Sequence, residues 1–169
     1  MRVLVSVASR HGATREMGAV VAQELRDAGH EAVEVEPEDV ERVDGYDAVV
    51  LGSAVYVGRL ALGLRALVDR QGGQLRARPV WLFWSGPLGD PPVPATVPDD
   101  VTEVARAVGA RGVAVFPGRL ERRGLDLSER ALVALTRAEP GDYRDMDAVR
   151  AWARDVGAGL RGGRAVGVR

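Results

Sequence analysis

Residues 2–14 read Arg2-Val3-Leu4-Val5-Ser6-Val7-Ala8-Ser9-Arg10-His11-Gly12-Ala13-Thr14. The first seven form an almost unbroken apolar, β-branched run, the pattern of a strand buried on both faces. The chain then turns through small and polar residues around Gly12. Beyond the turn, Met17, Val20, Val21, Leu25 and Ala28 recur at helical spacing until Gly29 ends the pattern. A buried strand that passes through a short loop into an amphipathic helix is the opening half of a parallel crossover unit.

The same alternation continues outward from this unit. Ala32-Val33-Glu34-Val35 alternates as an edge strand would, and Asp47-Ala48-Val49-Val50-Leu51-Gly52 is a third strand, again continuous. Leu60, Leu64, Leu67 and Val68 mark a second helix, and Val80-Trp81-Leu82-Phe83-Trp84 a fourth strand with Trp84 in the core. Asp99 and Asp100 open a third helix through Val101, Val104, Ala105 and Val108, stopped by Gly109. Val113-Ala114-Val115-Phe116 is the fifth strand. Helical patterns near 127–138 and 146–158 follow, the last with Met146, Val149, Trp152 and Val156 as its buried stripe. The segment 87–98 holds five of the nine prolines and reads as a loop. The Gly/Arg-rich stretch from Gly157 onward is expected to pack weakly.

Alternating strands and helices with continuous apolar strands imply a parallel sheet covered on both faces. Right-handed crossovers then give an α/β open doubly wound sheet of five strands in the order 2-1-3-4-5. One domain is expected over 1–160, with 161–169 as a tail.

Composition removes much chemistry. Of 169 residues, 23 are Lys or Arg, 24 are Asp or Glu and two are His, and every basic residue is arginine. Cysteine, lysine, asparagine and isoleucine are absent, a bias of the kind a GC-rich genome imposes. Thiol nucleophiles, thiolate metal sites, disulfides, Schiff-base chemistry and a lysine-bearing phosphate loop are all excluded. His11 and His30 alone cannot build a multi-histidine zinc site. A net charge of -1 argues against nucleic acid as a partner. No apolar run approaches the roughly 18 residues of a membrane span, and a cytoplasmic setting is expected.

In such a sheet, ligands bind outside the carboxyl ends of the strands where strand order reverses, here between strands one and three. Three loops meet that crevice. The first, Ser9-Arg10-His11-Gly12-Ala13-Thr14, sets hydroxyls, backbone amides and a glycine at a helix start, suited to a phosphate monoester. It lacks the G-x-G-x-x-G pattern of dinucleotide sites, and the same residues also serve as an ordinary turn and helix cap. The second, Gly52-Ser53-Ala54-Val55-Tyr56-Val57-Gly58-Arg59, lets a flat ring approach the backbone with Tyr56 beside it, or is a plain connection whose tyrosine covers the core. The third, Ser85-Gly86-Pro87-Leu88-Gly89-Asp90, adds amides and one hydroxyl.

Together these three loops resemble the FMN-contacting loops of the flavodoxin family. The runs Thr14-Arg15-Glu16, Gly118-Arg119-Leu120 and Gly141-Asp142-Tyr143-Arg144-Asp145, with Val149-Arg150-Ala151-Trp152-Ala153-Arg154, are similar to the branch of bacterial menaquinone-dependent protoporphyrinogen oxidases. The resemblance implies a flavodoxin-like fold and non-covalent FMN. Ser9, Arg10, His11, Gly12, Ala13 and Thr14 would cradle the phosphate. Ser53, Ala54, Val55, Tyr56, Val57 and Gly58, with Ser85, Gly86, Pro87, Leu88 and Gly89, would flank the ring. It further implies oxidation of protoporphyrinogen IX with a quinone as acceptor in heme biosynthesis, with no catalytic acid or base from the protein. Contact with the inner face of the plasma membrane and a homodimer stay open.

Arg119, Arg122 and Arg123 would meet porphyrin propionates or anionic headgroups. Alternatively they line a solvated turn neutralised by Glu121, Asp126 and Glu129. Two other readings keep the fold: a flavodoxin-type electron carrier docking on redox partner proteins, and a flavin-free binding module. A phospho-receiver domain is excluded, since Ala8-Ser9 and Gly52-Ser53 stand where its aspartates belong and lysine is absent.

Overall fold

The computed structural model describes residues 1–86, 88, 94–121, 123–136 and 138–162. Pro87, Gly89 and Arg122 of the expected site lie outside the described residues.

Five parallel strands form the sheet: β1 (Arg2–Ala8), β2 (Glu31–Glu34), β3 (Ala48–Tyr56), β5 (Val80–Ser85) and β6 (Gly112–Phe116). Their order is β2-β1-β3-β5-β6, the expected doubly wound arrangement. A two-residue strand, β4 (Arg59–Leu60), pairs antiparallel with the end of β3. A separate ribbon joins β7 (Arg119–Leu120) to β8 (Gly141–Asp142). None of these three short strands was anticipated.

Alternation along each strand divides the core between two faces. Val3, Val5 and Val7 of β1 with Trp81 and Phe83 of β5 face one way, where α1 (Ala13–Asp27) and α5 (Met146–Gly162) cover them. Leu4, Val49, Leu51, Leu82 and Trp84 face the other way, under α2 (Leu62–Arg76) and α3 (Asp99–Val108). The remaining helix, α4 (Leu127–Thr136), contributes no described residue to either core cluster. At the carboxyl end of the sheet, two glycines set the packing. A Cβ at Gly52 would lie 2.3 Å from the Phe83 ring, and one at Gly18 would lie 2.6 Å from a Val7 methyl. Their bare backbones let Phe83 and α1 close over β1 next to the first loop.

Two sequence expectations need correction. Residues 52–56 are not loop: β3 runs on to Tyr56, because Ser53 pairs with both Ala8 and Trp84. Residues 157–162 are not loosely packed either, since α5 continues to Gly162 with Gly157, Gly159 and Leu160 buried; residues 163–169 lie outside the described residues. The absent side chain at Gly157 brings α5 close to Ala28 and Leu25 of α1. Among the described residues, no helix is long and apolar enough to cross a membrane, and no cluster of three or more His, Asp or Glu could hold a metal.

Candidate functional site

The carboxyl ends of β1 and β3 lie side by side, Ala8 against Ser53, and a cleft of about 410 Å³ opens there. Ligand clefts run to roughly 300–1,000 Å³, so this one accommodates a small organic cofactor.

Its floor is the first turn of α1. Gly12 precedes the helix with φ of 84°, a left-handed conformation that glycine adopts without penalty. No side chain caps the turn. The N–H groups of such a turn, with the positive end of the helix dipole behind them, favour a negatively charged oxygen. Ser9, His11, Ala13 and Thr14 line the cleft, whereas Arg10 and Gly12 do not. Thr14 is buried, and its Oγ1 lies 2.8 Å from Ser85 Oγ, which ties the first loop to the third.

One wall is a hairpin. β3 ends at Tyr56, and Val57 and Gly58 both take positive φ, 50° and 71°, before β4 returns. This is the sign pattern of a type I′ turn. A β-branched residue is strained there, yet Val57 stands 75% exposed at the rim. The hairpin is braced from behind. Buried Asp100 accepts the Leu60 N–H at 2.7 Å. Ser53 Oγ accepts the Ala61 N–H at 2.9 Å and donates to the Ala54 carbonyl. Ser53 thus holds the wall and does not line the cleft, while Ala54, Val55, Tyr56, Val57 and Gly58 do. Ser85, Gly86 and Leu88 line the opposite side.

The third wall comes from the 118–138 segment, which contributes Leu120, Arg123, Leu125, Glu129 and Val133. Asp126 and Glu129 build a reciprocal cap on α4. The Glu129 N–H donates to Asp126 Oδ1, and the Asp126 N–H donates to Glu129 Oε2, both at 2.8 Å. The same two carboxylates grip the first loop. Arg10 donates to Asp126 at 2.7 Å and lies 3.2 Å from Glu129, whose Oε1 also meets His11 Nε2 at 3.0 Å.

The bonds from Ser128, from the Glu129 N–H and from Arg10 hold the Asp126 carboxyl well below its ordinary value. Burial pushes Glu129 up, but His11, the Asp126 N–H and Arg10 outweigh it and leave this carboxyl lowered as well. Burial and the Glu129 charge push the Tyr56 phenol up, against the opposing pull of Arg10. Tyr56 therefore presents a neutral ring, and its centroid lies 6.2 Å from that of His11, edge to face.

The neutralisation expected of Glu121, Asp126 and Glu129 is divided differently. Asp126 and Glu129 serve Arg10 and His11. Arg119 meets Glu121 at 2.9 Å and Glu16 at 3.3 Å. Arg123 lines the cleft and has no ion-pair partner among the described residues. The sequence reading did not anticipate Glu129 as a wall of the cleft, although the D-x-x-E spacing of 126–129 marks a capping box.

The Asp142 carboxyl, bonded first of all by Arg144, is held down to about 2. The folded value lies below the ordinary 3.8. Its stabilising contribution is therefore complete above that ordinary value and is lost as pH falls through about 2. Hydrogen exchange of residues 118–145 is expected to lose protection over that acid interval while β1 and β3 stay protected. Simultaneous loss in both regions would show that the segment carries no separate acid sensitivity.

The flavodoxin-domain family profile matches residues 4–147, which contain the first loop, the hairpin and the third wall. The chain belongs to the flavodoxin family. Flavin mononucleotide is that family's cofactor. Solved flavodoxins share the fold at low identity. One from the domain Archaea is 14% identical over 95% of this chain and 99% of its own, with a TM-score of 0.64. Flavodoxin 1 from Bacillus cereus is 16% identical over 96% and 98%, with a TM-score of 0.62. The rubredoxin oxygen:oxidoreductase of Desulfovibrio gigas is 12% identical over 95% of this chain, at a TM-score of 0.62, and this chain spans 36% of its length. No curated protein matches the sequence.

Proposed function

We propose that this flavodoxin-family chain is an FMN-dependent oxidoreductase acting on a small substrate. The carrying observation is the cleft itself. An uncapped helix start lies at its floor, and a slot runs between the Tyr56–Gly58 hairpin and Ser85–Gly86, at the point where the sheet reverses order. A phosphate monoester fits the floor and a planar ring fits the slot. When bound, FMN supplies the hydrogen and electron transfer.

The chain's residues do the rest. The amides of the α1 turn, with the Ser9 and Thr14 hydroxyls, hold the phosphate. Tyr56 and Val57 cover one side of the ring, and Gly86 and Leu88 the other. Leu120, Leu125 and Val133 exclude water from the space next to the ring, and Arg123, with no ion-pair partner among the described residues, offers a guanidinium there for an acidic group. This third wall favours a small substrate over bare electron exchange, because a carrier needs only an exposed ring edge.

Within this reading, protoporphyrinogen IX is the proposed substrate and a quinone the acceptor, with Arg123 toward the propionates and Arg119 committed to Glu16 and Glu121. A cytoplasmic protein meeting a membrane-borne quinone at the inner surface follows from that choice. A second reading, a carrier for partner proteins, is supported by the exposed Val57 at the rim and by Leu62, 78% exposed nearby in sequence.

The test is the visible spectrum of the purified protein, before and after adding FMN, with the released flavin identified. Protein with no flavin that takes up none would leave only a non-catalytic module. FMN-loaded protein that turns over protoporphyrinogen with a quinone supports the enzyme. Failure there, with rapid electron exchange to a partner protein, supports the carrier.

A further inference from the structure

The cofactor contacts leave three of the singled-out sequence runs unexplained, and all three meet at one carboxylate. Glu16 sits in the first turn of α1. Its Oε1 receives Arg119 of β7 at 3.3 Å, and its Oε2 receives Arg144 at 2.6 Å. Pairing of β7 with β8 brings these two arginines together. The Tyr143 N–H donates to the Gly118 carbonyl at 3.1 Å, its hydroxyl donates to the Glu139 carbonyl, and its ring lies over Gly141.

Arg144 is the rigid member. Its side chain is 8% exposed. Nε and Nη2 donate to the two Asp142 oxygens at 2.8 and 2.7 Å, a bidentate fork. Nη1 reaches past that pair to Glu16 and to the Ala13 carbonyl, the latter at 3.3 Å. Arg144 itself lies outside the cleft.

The turn it holds has little to fix it locally. Gly12 adopts its left-handed conformation with nothing within 4 Å of where a Cβ would stand, and no side chain caps the helix. Hydrogen-bond donors lose strength steeply once misaligned, so a turn meant to hold an anion needs an external brace. We propose that Arg144 is that brace: a positioning residue that orients the first turn of α1, through Ala13 and Glu16, for its grip on the phosphate end of the ligand. The proposal rests on reading that turn as the phosphate site.

The experiment compares FMN, riboflavin and inorganic phosphate as ligands of the apoprotein, in wild type, Arg144→Lys and Glu16→Ala, with thermal stability measured alongside. Riboflavin shares the ring but lacks the phosphate. Arg144→Lys keeps the charge and loses the fork. Glu16→Ala leaves the Arg144–Asp142 pair in place and covers the case in which Arg144→Lys fails to fold. Both variants are expected to bind FMN about tenfold more weakly, the loss of a charged hydrogen bond. Inorganic phosphate should weaken in parallel, and riboflavin by less than about twofold. Wild-type FMN affinity in both variants overturns the proposal, and in Arg144→Lys alone it assigns the effect to charge and overturns it too. Equal weakening of FMN and riboflavin makes Arg144 a purely structural residue. A wild-type protein that binds FMN no better than riboflavin defeats the phosphate reading itself, a result distinct from any variant effect.

Discussion

Phe83→Ala is expected to destabilise the protein by about 3–5 kcal/mol, in the range of buried aromatic truncations. Phe83 is wholly buried in β5, with ring centroids 6.0 Å from Phe116 and 5.7 Å from Trp152, so it joins the sheet to α5. Single domains hold only about 5–15 kcal/mol in total, and the loss should appear as a large fall in the urea midpoint. Gly52 supplies the control. In wild type, Gly52→Ala drives a Cβ to 2.3 Å from the Phe83 ring and 2.9 Å from Val7, and overpacking of this kind costs about 1–3 kcal/mol. In the Phe83→Ala background the same methyl enters the vacated space, so the second substitution should cost little or restore stability. Additive losses across the cycle would show that the two residues do not share that space.

Gly12→Asp carries the largest expected effect on binding. Space is no obstacle, since nothing stands within 4 Å of the new Cβ, and aspartate tolerates the left-handed region better than most residues. Gly12 does not itself line the cleft, but His11 and Ala13 on either side do, so the new carboxylate would stand beside the proposed phosphate. At about 5 Å and an effective dielectric of about 20, each pair of unit charges repels by about 3 kcal/mol, so FMN affinity should fall by at least about 100-fold. Riboflavin affinity should change little, and stability should fall by about 1 kcal/mol from the strain of a side chain at φ 84°. Isothermal titration with both ligands checks this, and equal losses for the two would mean that Gly12 is remote from the phosphate.

The parallel layer was legible because its signals are local. Val3–Ala8 and Val80–Trp84 announce strands covered on both faces, and Gly29 and Gly109 stop helices where their patterns lapse. The first loop was legible for the same reason, as glycine and hydroxyls between a buried strand and a helix. Other parts depend on distant neighbours. Gly52-Ser53-Ala54 carries too little side chain to announce a strand, and β1 and β5 on either side make it one. Gly157 and Gly159 look like breakers, yet small residues are what a close helix–helix contact uses. Strands of two residues, such as β4, β7 and β8, are too short to show any period. The roles of Arg10, His11 and Glu16 were hidden because their partners stand more than a hundred positions away.

That distance governs the order in which the molecule assembles. The bonds that tie Arg10, His11, Ala13 and Glu16 to residues 119–144 join positions 103 to 131 apart. Loops that long close slowly, after the local strand–helix units have paired. On a ribosome, every strand of the central sheet, the last ending at Phe116, is synthesised before Arg144. Cofactor competence is then among the last properties a newborn chain acquires, and a chain interrupted before residue 144 would carry the sheet without the brace.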